Sequence, residues 1–235
     1  MKRKGGEKRP PRAFSPSLAG VCLRYAAMEL LRFGRNLDEA SRAVMQEGAR
    51  RHRRFQAELL QSGDLIGVEQ VVKDDVLGVS GRMDAVCRVH GEPEVVEFKT
   101  VDGERFEWIR QHGPPVSHFA QLSLYLELTG YERGVLVVES RASDERTEFV
   151  VPRDERWGTW LTERIRTAVV AAREHRLPQR EVSVNCLTCD RWQRCFPDPL
   201  ARDAAARKHP DWAPTPPLPG DPGAEVAAAE RGRIS

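Results

Sequence analysis

The run Val95-Val96-Glu97-Phe98-Lys99-Thr100 alternates in polarity. On a β-strand alternate side chains share a face, so Glu97 and Lys99 project together while Phe98 turns into packing. Asp84 belongs to the preceding strand, one short reversal away, within reach of Glu97. Two carboxylates and an ammonium gathered on one spot waste desolvation energy unless something employs them. A hard divalent cation would: Mg²⁺ or Mn²⁺ takes oxygen ligands, using one or two carboxylates together with water and a substrate phosphate. Such an ion polarises the phosphate and acidifies a bound water. Lys99 is then placed to neutralise charge building on the transition state. The implied chemistry is phosphodiester hydrolysis, with Asp84, Glu97 and Lys99 as catalytic residues.

Other residues fit the same centre. Gly48 and His52 lie four apart on a helix and share a face, which offers His52 as a nitrogen ligand beside Asp84 and Glu97 and lets the helix pack closely at Gly48. Gln121 and Tyr125 are likewise four apart, on a helix downstream of the Glu-x-Lys strand, within range of active-site groups or nucleic acid. A second cluster is soft. Cys186, Cys189 and Cys195 crowd three thiols into ten residues, a spacing that suggests a metal centre. Three ligands leave a tetrahedral site open. Cys87 has the strand parity of Met83 and Ala85 and reads as core, so Cys22, early in the first helix, is the better fourth ligand.

The elements that must position these groups are visible in the pattern. Ser15-Pro16 starts a helix that runs to about Arg32, and Asn36 caps a second that lasts to about Gln61. Val-rich alternation over Leu65–Lys73, Val76–Val89 and Glu94–Thr100 predicts an antiparallel meander. Val101–Val116, with Gly103, Gly113, Pro114 and Pro115, reads as a polar loop over the substrate. A helix over Ser117–Leu128, strands over Gly134–Glu139 and Thr147–Val151, and a long helix over Arg156–His175 complete an α/β domain. Its central sheet is mixed and flanked by helices. Residues 1–13 read as a disordered basic arm and residues 200–235 as a disordered tail, leaving residues 14–199 as the domain.

Composition narrows the partners. The net charge of +2 hides fourteen Lys/Arg against five Asp/Glu through Arg54, a surplus of +9, so the remainder carries −7. A basic half of this kind suits a phosphate backbone, with Arg24, Arg50 and Arg51 as candidate contacts. The aromatics Phe106, Trp108 and Phe119 are candidates for base stacking. Apolar runs such as Val135–Val138 are too short to span a bilayer, and no cleavage site follows the basic start, so a cytoplasmic protein is expected. Five cysteines make a disulfide framework improbable. There is no GxxxxGK[ST] loop, hence no motor in this chain.

Taken in order, Gly48-x-x-x-His52, Gly81-Arg82-Met83-Asp84, Glu97-Phe98-Lys99 and Gln121-x-x-x-Tyr125 resemble the RecB-like branch of the PD-(D/E)XK nucleases over roughly Phe14 to Pro199. The resemblance implies a restriction-endonuclease-like fold and ligation of Mg²⁺ or Mn²⁺ by His52, Asp84 and Glu97. It also implies catalysis by Lys99 and site or DNA contacts from Gln121 and Tyr125. Cys22 with Cys186, Cys189 and Cys195 is similar to the iron–sulfur subset, which includes CRISPR-associated single-domain nucleases and AddB-type nucleases. That likeness implies a [4Fe–4S] cluster stapling the N- and C-terminal segments together, with Zn²⁺ as the rival that spacing does not separate. The implied activity is a metal-dependent DNA exonuclease acting on ends or single strands in recombination, repair or CRISPR adaptation, alone or with a helicase or CRISPR integration complex. A catalytically silent DNA-binding module is the alternative.

Overall fold

A computed structural model describes residues 10–35, 38–209 and 215–216. Five strands, β1 (Leu65–Asp74), β2 (Val79–Val89), β3 (Glu92–Val101), β4 (Arg133–Ser140) and β5 (Arg146–Pro152), form one sheet in chain order. All neighbouring pairs are antiparallel except β3 and β4, which run parallel. A parallel pair needs a crossover, and α3 (Gly103–His112) with α4 (Val116–Thr129) supplies it. The remaining helices are α1 (Leu23–Leu30), α2 (Glu39–Ser62), α5 (Glu155–Arg173) and α6 (Pro199–Ala206). The expected mixed sheet flanked by helices is present. No described helix is long and apolar enough to cross a membrane.

The two sheet faces carry separate cores. On one, Val95, Leu122, Leu126 and Leu136 pack with Phe106 and Ile109 of α3. On the other, Phe55 of α2 stacks on Phe98 of β3 with ring centroids 4.4 Å apart, beside Ala85, Cys87 and Val137. Phe55 is the single buried residue of the 24-residue α2, so apolar burial alone holds that helix poorly. Charge does the rest. Glu139 of β4 is fully buried, and its carboxylate accepts from Arg51 at 2.8 Å, Arg54 at 2.7 Å and Arg146 at 2.8 Å. Burial pushes its pKa up, but the three guanidiniums outweigh burial and hold it below the usual carboxylate range.

Several local readings change. Residues 101–116 are mostly helix rather than loop. Asp102 caps α3 by accepting from the Arg105 N–H at 2.8 Å, and Phe106 and Ile109, three apart, both face the core. Gly113 and the two prolines separate two helices instead of marking a lid. The first helix breaks at Gly20, where a Cβ would stand 2.3 Å from the Ser117 Cα, leaving a 3₁₀ turn at Pro16–Leu18 and then α1. Asp38 caps α2 by accepting from Ser41 N–H at 2.8 Å; Asn36, the expected cap, lies outside the described residues. Residues 1–9 of the expected arm and most of the expected tail also lie outside them, while α6 occupies the start of that tail and buries Ala206.

The terminal segments are joined, but not by a four-cysteine metal cluster. All five cysteines are free thiols, and among the described residues no group of three or more His, Cys, Asp or Glu is placed to hold a metal ion. The clamp is made of guanidinium and carboxylate bonds. Arg191, 3% exposed, donates to Glu29 at 3.0 Å and to the Phe33 carbonyl at 2.7 Å. Glu181 accepts from the Leu23 N–H at 2.6 Å and from Arg164 at 2.6 and 2.9 Å.

Replacing Glu139 with Gln leaves three guanidiniums, with Arg51 the most enclosed and Arg54 half-exposed, facing a buried neutral amide. This should lower the unfolding free energy by about 3 kcal/mol, read as a shift in the urea midpoint. A loss below about 0.5 kcal/mol would show that α2 does not depend on this network.

Candidate functional site

The pairing of β2 with β3 begins at Val89–Glu92 and ends at Ala85–Val96. Beyond that point the strands part, while β2 continues its ladder with β1 as far as Val79–Asp74. A fork of this kind orphans backbone donors on β3. Asp84 sits at the branch and replaces the missing partner: its Oδ2 accepts the Phe98 N–H at 2.8 Å. Gly81, on the splayed part of β2, lies against Pro16, where a Cβ would meet Cδ at 2.4 Å. Tyr125 of α4 donates from its hydroxyl to the Arg82 carbonyl at 2.5 Å and so braces the open strand.

Strand alternation then delivers the chemistry to the α4 face. Glu97 is 1% exposed, and its Oε1 meets Lys99 Nζ at 2.6 Å. Gln121 closes a triangle, donating from Nε2 to Glu97 Oε1 at 2.7 Å and accepting from Lys99 Nζ at 2.9 Å. Glu97 Oε2 is buried without a partner. Burial, opposed by Lys99 and reinforced by Asp84, pushes the Glu97 carboxyl up to about 7. Burial also raises the Tyr125 hydroxyl. From the opposite face of the sheet His52 of α2 brings Nδ1 to 3.3 Å from Asp84 Oδ1, with its ring edge-on to Phe98 at 5.0 Å. A Cβ at Gly48 would meet Thr100 Oγ1 at 3.5 Å, an ordinary contact, so close helix packing does not require that glycine.

Asp84, Glu97, Lys99, Gln121, Tyr125 and His52 therefore surround one fork. The expected Mg²⁺ or Mn²⁺ centre on His52, Asp84 and Glu97 is corrected all the same. Glu97 Oε1 is taken by Lys99 and Gln121 and Asp84 Oδ2 by a backbone N–H, and these three side chains do not form a ligand group among the described residues. The [4Fe–4S] and Zn²⁺ readings of Cys22, Cys186, Cys189 and Cys195 are corrected on the same finding. The four cysteines border one cavity of about 730 Å³ without converging on a point. Burial pushes the Cys189 and Cys195 thiols up, opposed at Cys189 by the Arg191 N–H and at Cys195 by the Arg24 guanidinium.

The candidate DNA-contacting arginines have intramolecular partners. Arg51 bonds to Glu47, Glu139, Asp144 and the Arg141 carbonyl, and Arg24 donates to the Pro178 carbonyl at 3.1 Å. Arg50 is exposed and pairs with Glu47. Sequence reading missed His118, one turn before Gln121 on the same helix face, although that spacing was available as a signal. Its Nδ1 is buried and unpartnered, and burial, with Lys99 and Arg105 nearby, pushes the imidazole down to about 4.

No family model matches the chain, and the search of curated proteins returns no match. Solved structures do match. The crystal structure of SSO0001 is 17% identical, with a TM-score of 0.50 over 83% of this chain and 89% of that one. The alkaline exonuclease LHK-Exo from Laribacter hongkongensis is 11% identical, with a TM-score of 0.53 over 68% of this chain and 88% of its own. Its complex with dAMP gives 13% and 0.54 over 69% and 89%. At identities this low the likeness shows a shared fold and nothing finer. Membership in the iron–sulfur RecB-like subset is not supported, since the cysteine cluster that defines it is not formed.

His118 gives a signed pH dependence. Its folded pKa lies below the unfolded value, so the unfolded chain binds the extra proton. Its contribution is intact above about pH 6.5, falls away towards pH 4, and amounts to roughly 3 kcal/mol. Glu97, with a raised pKa, works in the opposite direction in wild type and variant alike. His118→Leu should therefore flatten the decline of the urea midpoint between pH 6.5 and pH 4 relative to wild type; parallel curves would contradict a buried neutral imidazole.

Proposed function

We propose that this chain hydrolyses DNA phosphodiester bonds as an exonuclease acting on ends or single strands, with Asp84, Glu97 and Lys99 as its catalytic residues. The observation that carries the reading is the triangle of Lys99, Glu97 and Gln121 beside Asp84 in a strand fork, within a fold shared with an alkaline exonuclease.

The division of labour follows from the contacts. Water attacks phosphorus, the bond to the leaving sugar oxygen breaks, and the displaced oxygen is protonated from solvent. Negative charge grows on the phosphoryl oxygens as this happens, and a fixed ammonium in a partly dry site stabilises it more than solvent does. Lys99 is that ammonium: its side chain is 21% exposed, and Glu97 and Gln121 hold it in one orientation. Asp84 keeps some exposure at the branch, so its Oδ1 can accept a hydrogen bond from the attacking water and orient it, while the buried Glu97 carboxylate acts through the ammonium it holds. Gln121 and Tyr125 act as positioning residues, one on Lys99 and one on the splayed strand.

Lys99→Ala should reduce cleavage of end-labelled DNA by about 100-fold or more, while affinity for the same DNA changes by only a few-fold. The assay is run on single- and double-stranded substrates, in chelator and with added Mg²⁺ or Mn²⁺. Equal cleavage by variant and wild type would falsify the role of Lys99. A wild-type protein that binds DNA and cuts none of these substrates would instead establish a silent binding module.

A further inference from the structure

Among the described residues Trp108 is the one aromatic among the exposed large hydrophobics, at 44% exposure. The other two aromatics singled out for stacking are placed differently. Phe106 is buried in the core, and Phe119 lies against Trp157 at 4.8 Å. Trp108 is also built into a ladder of flat groups. The Arg105 guanidinium stands 4.6 Å from the centre of its ring, and the His112 imidazole stacks on it at 4.8 Å with planes 16° apart. His112 Nδ1 lies 2.9 Å from the Trp108 carbonyl oxygen, which fixes that ring. Residues 105, 108 and 112 follow one helical stripe.

The stripe lies on the element that follows the Glu97–Lys99 strand: helix α3 begins two residues after β3 ends, so Arg105 is six residues along the chain from Lys99. Arg105 makes no ion pair among the described residues; its charge is left for a ligand. Trp108 is flanked by Glu104, Glu107 and Arg110 rather than by apolar side chains, so a greasy protein surface finds little here. A single strand offers what the ladder asks for: phosphates for Arg105 and unstacked base faces for the indole. A duplex keeps its base faces inside the helix.

We propose that Arg105, Trp108 and His112 form a stacking track that receives single-stranded DNA at the mouth of the site. A base extends the ladder or takes the imidazole's place on the indole. This rests on the nuclease reading and adds strandedness to it.

The test is anisotropy with a labelled oligothymidylate of about 12 nucleotides, in chelator, on the full chain. Trp108→Ala should weaken binding by about 5- to 100-fold, Trp108→Phe should retain most of it, and affinity for a blunt hairpin duplex should stay unchanged. An exposed residue is removed, and the urea midpoint verifies that the variants are folded. Wild-type affinity in Trp108→Ala, or no binding by the wild type, overturns the track. Cleavage is read separately: a wild type that binds single strands through Trp108 and cuts nothing sinks the nuclease reading and leaves the track standing.

Discussion

One hydrogen bond organises the candidate site: the Phe98 N–H donated to the Asp84 carboxylate. A β-sheet that opens must satisfy the backbone groups it abandons. Here β2 leaves β3 after Ala85–Val96, and a side chain, not a strand, takes over. The substitution places a carboxylate in the branch by the same act that lets the branch exist. Everything else named at the site reaches the fork from one sheet face or the other. Glu97 and Lys99 do so by strand alternation, Gln121 and Tyr125 from α4, and His52 from α2.

Keeping two helices at fixed depth on opposite faces is the energetic problem that follows. The two are held differently. Helix α4 is buried from Ala120 through Leu126, half of its length, and docks largely through apolar contact. Helix α2 buries little and relies on Phe55 against Phe98 and on the arginines around Glu139. Buried ion pairs contribute little net stability over an apolar replacement, yet breaking one from a single side is costly. They suit a helix whose angle, rather than whose affinity for the sheet, matters. The termini obey the same logic, with Arg191 and Glu181 fastening the C-terminal segment to α1.

Much of this was legible in the chain. Period-two alternation located the strands, and the parity of Glu97 and Lys99 put both on one face, as found. The i, i+4 spacing of Gln121 and Tyr125 put them on one side of a helix, and both reach the fork. Residues 101–116 misled because Gly and Pro were read as loop markers, while Asp102 and the Phe106–Ile109 pair carried the helix. Asp84 was legible as a carboxylate near Glu97 but not as a backbone cap, since the end of a ladder leaves no pattern in side-chain polarity. The cysteine spacing suggested a metal staple; spacing reports proximity along the chain, whereas ligation requires thiolates converging in space, and among the described residues these do not form a ligand group. Arg191, which does part of the fastening, is one arginine among many in the sequence.

The most direct measurement is a crystal structure of the protein with a short DNA strand whose scissile linkage is a slowly cleaved phosphorothioate. The account places that phosphate in the open end of the β2–β3 fork, within hydrogen-bonding reach of Lys99 Nζ and beside Asp84. A phosphate bound elsewhere, with β2 and β3 zipped past Asp84 and no space next to Lys99, would contradict it.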